Sequence, residues 1–295
     1  MRARTISRML AIAMPDHISA LSAPPGAVTR SVHRLRDTLV TVERDLIADE
    51  VPVAFEYNGV PFAVMMATPH DLADFALGFS LSEGIVASPS MLTIESIDTW
   101  IDGAVIKLRV PSAAADALQH RRRNLQGRSG CGVCGNESIE AVLQPPTPVS
   151  DTLRIETEAL QRALQELRET QPLNALTGAT HAAAWASPAG AVACVREDIG
   201  RHNALDKLIG ALHHAGLDPA SGFAVITSRA SYEMVLKAAR AGIELLAAIS
   251  APTALAIALA ESAGQTLIGF ARGTDCVIYT HPHRLASDHV LETSS

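Results

Sequence analysis

The sequence has few aromatic residues, little charge and no excess of positive charge. Aromatic residues make up 4% and charged residues 19% of the 295 residues. Proteins that bind single-stranded nucleic acid stack bases on aromatic side chains, which are scarce here. Lys and Arg total 24 against 31 Asp and Glu, which gives a formal net charge of −7. An acidic chain lacks the basic face that non-specific nucleic-acid binding requires, so we expect no nucleic-acid partner.

Long hydrophobic runs are also missing. The most apolar stretch without a charged residue has 16 residues, from Leu245 to Ala260, and Pro252 interrupts it. A membrane helix needs about 20 apolar residues, so we expect no membrane span. The apolar run at 9–14 is shorter than the apolar core of a secretory signal, which has about 7–15 residues. We therefore expect no secretory signal.

Cysteine is scarce as well, with 4 residues in the chain, too few for a disulfide framework. Cys131 and Cys134 form a Cys-x-x-Cys pair, whereas Cys194 and Cys276 are isolated. In a reducing cytosol such a pair is more often metal-binding or catalytic than structural. The cysteines therefore indicate a cytoplasmic protein with metal or sulfur chemistry.

With 48% hydrophobic residues, the chain is globular and divides into segments. We predict a flexible leader over 1–30, an N-terminal α+β domain over 31–118, a linker loop with the cysteine pair over 119–150, a C-terminal α/β domain over 151–285 and a tail over 286–295. Regular structure is expected to begin near Val40. The sequence therefore predicts a two-domain α/β protein.

The N-terminal domain carries a hairpin and a helix. Asn58-Gly59, between apolar runs at 51–57 and 60–66, is typical of a type I′ turn. A helix is predicted to follow with Thr68 as N-cap, Pro69 at N1 and Asp71 at N3. The apolar stripe of this helix consists of Leu72, Phe75, Ala76 and Phe79. A further strand is predicted over 104–110.

The C-terminal domain alternates strands with helices. Gly216, Gly242 and Gly264 follow three of the predicted helices as C′ residues. The alternation predicts a mostly parallel sheet with helices on both faces. Helices are predicted over 157–170, 202–215, 231–241 and 252–263, and strands over 181–185, 191–195, 223–226, 243–249, 266–270 and 276–280.

Polar residues follow four of these strands. Because ligands bind beyond the carboxyl ends of parallel strands, the four segments are expected to form one anion site for phosphate or pyrophosphate. Structural alternatives remain: Ser228 and Ser231 could cap a helix, Arg201 and Arg272 could pair with nearby acids, and His202 with Asp206 is better explained as a helical polar pair. The segments are 196–203, 227–229, 250–253 and 272–275.

The cysteine pair sits among glycines, in Gly-Cys-Gly-Val-Cys-Gly at 130–135, and downstream of Arg121–Arg123 and Arg128. Cationic neighbours lower a thiol's pKa, and the thiolate is the nucleophile. Four interpretations stay open: a sulfur-handling cysteine, a structural zinc site completed by His281 and His283, a redox-inert loop pair and a thioredoxin-like dithiol. The glycine-rich connector disfavours the last. A zinc deaminase is disfavoured because no His/Cys-x-Glu triplet precedes the pair.

Several motifs together carry a family resemblance. They are the cysteine motif at 130–135, Arg-Glu-Asp-Ile-Gly-Arg-His-Asn-Ala-Leu-Asp-Lys at 196–207, Thr-Ser-Arg at 227–229, Ile-Gly-Phe-Ala-Arg-Gly at 268–273 and Tyr-Thr-His-Pro at 279–282. The segment 68–84 also fits. The chain resembles the FdhD family, whose members are sulfur carriers needed for formate dehydrogenase activity.

The resemblance implies a fold and a function. It implies a small N-terminal α+β domain and a C-terminal three-layer α/β domain similar to cytidine deaminases, without their zinc chemistry. The protein would be a cytoplasmic homodimer. It would accept sulfur from a cysteine desulfurase as a cysteine persulfide. It would pass that sulfur to the Mo-bis(molybdopterin guanine dinucleotide) cofactor, or its tungsten form, before insertion into formate dehydrogenase. The cofactor is thus a bound substrate, and no intrinsic metal is expected.

The resemblance also assigns roles to residues. Cys131 would carry the persulfide, with Cys134 as a helper or resolving thiol. Together with the strand-end argument, it predicts that the cofactor is held by Phe270, Ala271, Arg272, Gly273, Thr274 and Asp275, by Asp198, Gly200, Arg201, His202 and Asn203, and by Thr227, Ser228 and Arg229. Two alternatives are a non-enzymatic chaperone that binds the cofactor without moving sulfur and a zinc-stabilised interaction module.

Overall fold

A computed structural model describes residues 23–125 and 148–286, with side chains for all of these except 119–125. Its first element is a two-stranded antiparallel ribbon of β1 (Ala27–Arg36) and β2 (Leu39–Ala48). The expectation that regular structure begins near Val40, after a leader ending at residue 30, is therefore wrong. Pro24, Pro25 and Gly26 lead directly into β1.

The second sheet has four strands in the order β4-β3-β6-β5. The hairpin prediction is confirmed, because Asn58 and Gly59 have φ of 51° and 75°, as a type I′ turn requires. The predicted strand at 104–110 is confirmed as β6, whereas its antiparallel neighbour β5 was missed. The strands are β3 (Val51–Tyr57), β4 (Val60–Ala67), β5 (Thr93–Trp100) and β6 (Gly103–Arg109), with a 3-10 turn at Pro89–Met91.

Helix α1 (Leu72–Ser82) covers one face of this sheet, and its predicted apolar stripe is buried. The predicted start of the helix is wrong. Asp71 is the N-cap, with φ of 55° and no capping hydrogen bond from its side chain. Thr68 does not cap the helix, because its hydroxyl donates to the carboxylate of Asp198 at 2.8 Å. A partner 130 residues away thus outcompetes the local cap.

Beyond this sheet, helix α2 (Ser112–Leu125) continues into the segment that the sequence assigned to a linker loop from residue 119. The remaining helices are α3 (Thr157–Glu169), α4 (Pro172–Thr177), α5 (Arg201–His214), α6 (Tyr232–Arg240) and α7 (Ala254–Ser262), with 3-10 turns at Pro219–Ser221 and Pro282–Arg284. Predicted helices of this half are confirmed within a few residues. Gly216, Gly242 and Gly264 follow their helices with positive φ, as predicted.

The third sheet has six strands in the order β13-β12-β11-β10-β8-β9, and a short parallel pair joins β7 to β14. Only β10–β11 and β11–β12 pair in parallel within this described sheet, so the mostly parallel prediction is wrong. The reason is that β8–β9 and β12–β13 are hairpins. The strands are β7 (Ile155–Glu156), β8 (His181–Ala186), β9 (Val192–Asp198), β10 (Phe223–Ile226), β11 (Leu245–Ala248), β12 (Thr266–Arg272), β13 (Asp275–Thr280) and β14 (Leu285–Ala286).

Helices cover both faces of the six-stranded sheet, as predicted. Helices α5, α6 and α7 pack on one face through residues such as Leu208, Met234 and Ala260. Helix α3 packs on the other face through Leu160, Leu164 and other residues. This half therefore has three layers. A separate hydrophobic core lies between the four-stranded sheet and helices α1 and α2.

Candidate functional site

The four predicted polar segments leave the six-stranded sheet at one edge. Strands β10, β11 and β12 run parallel. Strand β8 runs opposite to β10, and β9 runs opposite to β8, so β9 has the same direction as the other three. The carboxyl ends of β9, β10, β11 and β12 therefore share an edge. We call it the anion edge.

Backbone hydrogen bonds connect neighbouring segments of the anion edge. The Ala230 amide donates to the Ala251 carbonyl at 3.2 Å, and the Phe270 amide donates to the Ser250 carbonyl at 3.2 Å. The Arg272 guanidinium donates from Nε to the Ile249 carbonyl at 3.1 Å. The loops after β10, β11 and β12 thus form one continuous rim, as the strand-end argument predicted.

Asp198 ends β9 and Asn203 lies in the first turn of α5, and both side chains are buried. One carboxylate oxygen of Asp198 accepts from the Gly200 amide at 2.8 Å and from Nδ2 of Asn203 at 2.9 Å. The Asn203 amide also donates to the Met66 carbonyl at 2.8 Å. Strand β9 extends to Asp198, so Arg196, Glu197 and Asp198 belong to the strand and not to the predicted loop after it.

Arg201 and His202 occupy the first turn of α5, with Gly200 as N-cap. Nε2 of His202 lies 2.9 Å from a carboxylate oxygen of Glu233, and this contact lowers the pKa of Glu233. His202 therefore pairs across to helix α6, and the predicted pair with Asp206 on the same helix is wrong. Asp206 instead bonds Ser82 and Lys237.

Some polar atoms at this edge lack partners among the described residues. Nε of Arg201 and Oγ of Ser231 are buried without a hydrogen bond there. Ser231 is the N-cap of α6, but its side chain makes no cap hydrogen bond, contrary to the capping alternative. Buried polar atoms are nearly always paired, so these two atoms fit a site that receives a polar ligand.

Thr227, Ser228 and Arg229 follow β10 at the same edge. The Thr227 hydroxyl accepts from the Ala182 amide at 2.9 Å. The buried Ser228 donates its hydroxyl to the Arg229 carbonyl at 3.1 Å. Arg229 is exposed. Among these three residues, the arginine presents its side chain to solvent.

Phe270 has unusual geometry at the end of β12. Its φ of 52° is rare for a bulky residue, and its side chain is 45% exposed. Strand β12 continues to Arg272, so the predicted loop shrinks to the Gly273-Thr274 turn between Arg272 and Asp275. Arg272 is exposed, whereas Ala271 is buried and faces the core. Strained backbone with an exposed ring supports a functional role for Phe270.

His181 also lies at the anion edge, although the carboxyl ends of the strands do not indicate it. His181 begins β8, which runs antiparallel to β10, so its amino end lies at the anion edge. Burial lowers the pKa of His181, and the charges of Arg201 and His202 lower it further. Ser231 and Glu233 were not predicted as site residues either: Ser231 is identified by its buried hydroxyl without a hydrogen bond to any described residue, and Glu233 by its contact with His202.

Cys131 and Cys134 lie outside the described residues. Further along the chain, the amide of Val149 donates to the Ala263 carbonyl at 2.9 Å, just before β12 begins. Ser150, Thr152 and Leu153 donate to the buried carboxylate of Glu244, at the amino end of β11. This segment is therefore anchored at the edge of the sheet opposite the anion edge.

The histidines considered as zinc ligands have other partners. Nε2 of His283 lies 2.9 Å from an Asp151 carboxylate oxygen, and Nε2 of His281 lies 3.1 Å from the Glu261 carbonyl. Within residues 23–125 and 148–286, no group of three or more His, Cys, Asp or Glu side chains could hold a metal. None of the helices in these ranges has the length and apolar composition of a membrane span.

Comparison with known families gives one match that covers most of the chain. The model of the FdhD/NarQ family matches residues 48–286. The chain is 64% identical over 261 residues to the sulfur carrier protein FdhD of Xanthomonas campestris pv. campestris strain B100, covering 88% of this chain and 93% of that protein. It is 53% identical over 268 residues to the sulfur carrier protein FdhD of Cupriavidus necator, covering 91% and 93%.

A solved structure shares the fold. The crystal structure of a candidate formate dehydrogenase accessory protein from Desulfotalea psychrophila superposes with a TM-score of 0.70 and 21% sequence identity. The match covers 89% of this chain and 100% of that one. The mixed α/β architecture with several sheets therefore occurs in a second protein of low sequence identity.

Proposed function

Because the chain belongs to the FdhD/NarQ family, we propose that it is a cytoplasmic sulfur carrier that serves formate dehydrogenase maturation. The observation that carries this proposal is the 64% identity to a sulfur carrier protein FdhD over 88% of the chain. The sulfur donor is a cysteine desulfurase, and the acceptor is the Mo-bis(molybdopterin guanine dinucleotide) cofactor. The working unit is a homodimer, and each subunit has two domains.

Cys131 receives the sulfur. Its thiolate attacks the terminal sulfur of the desulfurase persulfide, which forms a new S–S bond on Cys131. The S–S bond of the donor breaks, and the donor cysteine leaves as a thiolate. No net oxidation occurs, since one persulfide replaces another. Nearby cations, such as Arg128, favour the attacking thiolate form.

Cys134 supplies the electrons for release. The sulfur of a persulfide must gain two electrons to become sulfide. The Cys134 thiol attacks Sγ of Cys131, forms a Cys131–Cys134 disulfide and releases hydrogen sulfide. The sulfide becomes a ligand of the cofactor metal, and its two protons leave with a displaced oxo ligand as water. A cellular thiol reductant then restores both cysteines.

The anion edge holds the cofactor. Each guanine dinucleotide carries a pyrophosphate, and arginine forks bind phosphate bidentately. Arg201, Arg229 and Arg272 bring three such forks to one rim, beside the exposed ring of Phe270 and the Gly273-Thr274 turn. Asp198, Gly200 and Asn203 support the rim from below. Thr227, Ser228 and the Ala271–Asp275 backbone complete it.

Maturation of formate dehydrogenase by single-cysteine variants tests the transfer. Cys131→Ala should abolish enzyme activity, because no other residue carries the persulfide. Cys134→Ala should be milder, because an added thiol such as dithiothreitol can replace the resolving thiol. Equal and complete loss in both variants, with thiol present, would favour metal ligation or an obligatory disulfide and contradict these roles.

A further inference from the structure

Thr68, Asp198 and Lys207 form a buried polar cluster that joins the two halves of the chain. All three residues have 0% exposure. Nζ of Lys207 lies 2.7 Å from Oδ2 of Asp198 and donates to the Thr68 hydroxyl at 2.7 Å. The Thr68 hydroxyl and amide donate to the same carboxylate oxygen at 2.8 and 3.0 Å. One oxygen of Asp198 is therefore occupied entirely by this cluster.

The other oxygen of Asp198 holds the loop that leads to Arg201. It accepts from the Gly200 amide and from Asn203, at 2.8 and 2.9 Å. A Cβ atom on Gly200 would lie 2.8 Å from Nδ2 of Asn203, so the loop is packed closely against these groups. The direction of the Asp198 carboxylate thus sets the position of the first turn of α5.

A buried ion pair is weak evidence of stability by itself, because desolvation of two charges offsets their attraction. In this protein the Asp198–Lys207 pair also fixes the orientation of the Asp198 carboxylate. We propose that Thr68 and Lys207 are positioning residues for the anion edge, which act through Asp198 to fix the Gly200–His202 turn. The proposal rests on the proposed function, since that turn carries the predicted phosphate contacts.

The chain contains a second cluster of the same chemistry, which provides a matched control. Ser82 donates its hydroxyl to Asp206 at 2.6 Å, and Nζ of Lys237 donates to Asp206 at 2.9 Å and to Ser82 at 3.0 Å. Asp206 and Ser82 are both buried. This cluster joins α1 to α5 and α6, and its carboxylate lies on α5 itself and not beside the Gly200 turn.

Thr68→Val, Thr68→Ser and Ser82→Ala test the proposal in the full-length protein. Valine keeps the shape of threonine and removes the hydroxyl, serine keeps the hydroxyl, and Ser82→Ala removes the corresponding hydroxyl of the second cluster. Calorimetric titration with GDP, a fragment of the cofactor, should show that Thr68→Val binds about tenfold more weakly, because the Gly200–His202 turn is then held less firmly in its binding position. Thr68→Ser and Ser82→Ala should bind like the wild type.

Hydrogen exchange of the backbone amides at 199–203 gives a readout independent of GDP. Thr68→Val should increase exchange there, whereas Ser82→Ala should not, at matched thermal stability. Wild-type GDP affinity and exchange in Thr68→Val would overturn the proposal, as would an equal effect of Ser82→Ala. If the wild-type protein itself fails to bind GDP, the proposed anion site is wrong, and the exchange data alone decide whether Thr68 positions the turn.

Discussion

Gly78 of α1 and Gly210 of α5 lie where the two helices cross without any side chain between them. A Cβ atom on Gly78 would lie 2.7 Å from the Gly210 amide nitrogen and would overlap the Asp206 carbonyl oxygen. A Cβ atom on Gly210 would overlap the Asp74 carbonyl oxygen. This close crossing brings Thr68, which precedes α1, and Ser82, its last residue, into bonding distance of α5.

Gly78→Ala and Gly210→Ala should therefore each destabilise the protein by about 1–3 kcal/mol, the usual cost of overpacking. The double variant should lose less than the sum, because the first methyl group already separates the helices. Urea unfolding of the three variants gives the free energies. Additive losses, or no loss in either single variant, would contradict the close crossing.

Arg272→Ala should weaken GDP binding about ten- to hundredfold, the effect of losing a charged hydrogen bond of about 1.5–3 kcal/mol. Arg272 is exposed at the anion edge, so the fold should not suffer. Calorimetric titration measures the affinity. Arg168→Ala, an exposed arginine of α3, is the control and should bind GDP normally. Normal binding by Arg272→Ala would assign its guanidinium a structural role.

Acid should destabilise the anchor of the segment after the cysteines. Burial raises the pKa of Glu244, but hydrogen bonds from Leu153, Thr152 and Ser150 prevail and lower it from 4.5 to about 2. A carboxylate with a lowered pKa stabilises the fold above the unfolded pKa, and this contribution is lost as pH falls from 4.5 towards 2. The loss should total about 3 kcal/mol.

Urea unfolding between these two pH values measures that loss. Glu244→Gln should be less stable at neutral pH and should show a smaller decrease on acidification than the wild type. Glu261→Gln changes a largely exposed carboxylate and should keep the wild-type decrease. The same pH dependence in Glu244→Gln and the wild type would show that another group causes it.

Local patterns predicted most elements of the fold. The strand at 223–226 agrees with the structure at both ends, because a short apolar run between turn residues leaves little choice. The prediction that Gly216, Gly242 and Gly264 follow helices is also confirmed, because glycine readily adopts the positive φ that ends a helix. Pairing direction could not be predicted, because it depends on whether two strands join through a hairpin or a helix. Because β8 is antiparallel to both β10 and β9, β9 and β10 run in the same direction, and the four loops still share one edge.

The arginines at the rim of the candidate site could be predicted from the sequence, whereas the buried residues that position them could not. Arg201 and Arg229 follow strand ends and Arg272 is the last residue of β12, so all three lie where the sequence places the ends of strands. Thr68 contacts Asp198 across 130 residues, so its role depends on tertiary packing. The helix motif at Thr68 was misread as a cap because Thr is a common N-cap, and only the fold reveals the carboxylate that binds it.

Intact-protein mass spectrometry after incubation with a cysteine desulfurase and L-cysteine tests the sulfur-carrier proposal most directly. The wild-type protein should gain the mass of one sulfur atom, removed by dithiothreitol, and peptide mapping should place it on Cys131. Cys131→Ala should gain none, whereas Cys134→Ala should load and retain it. A wild-type protein that binds GDP but never gains sulfur would instead be a cofactor chaperone, which would contradict the proposal.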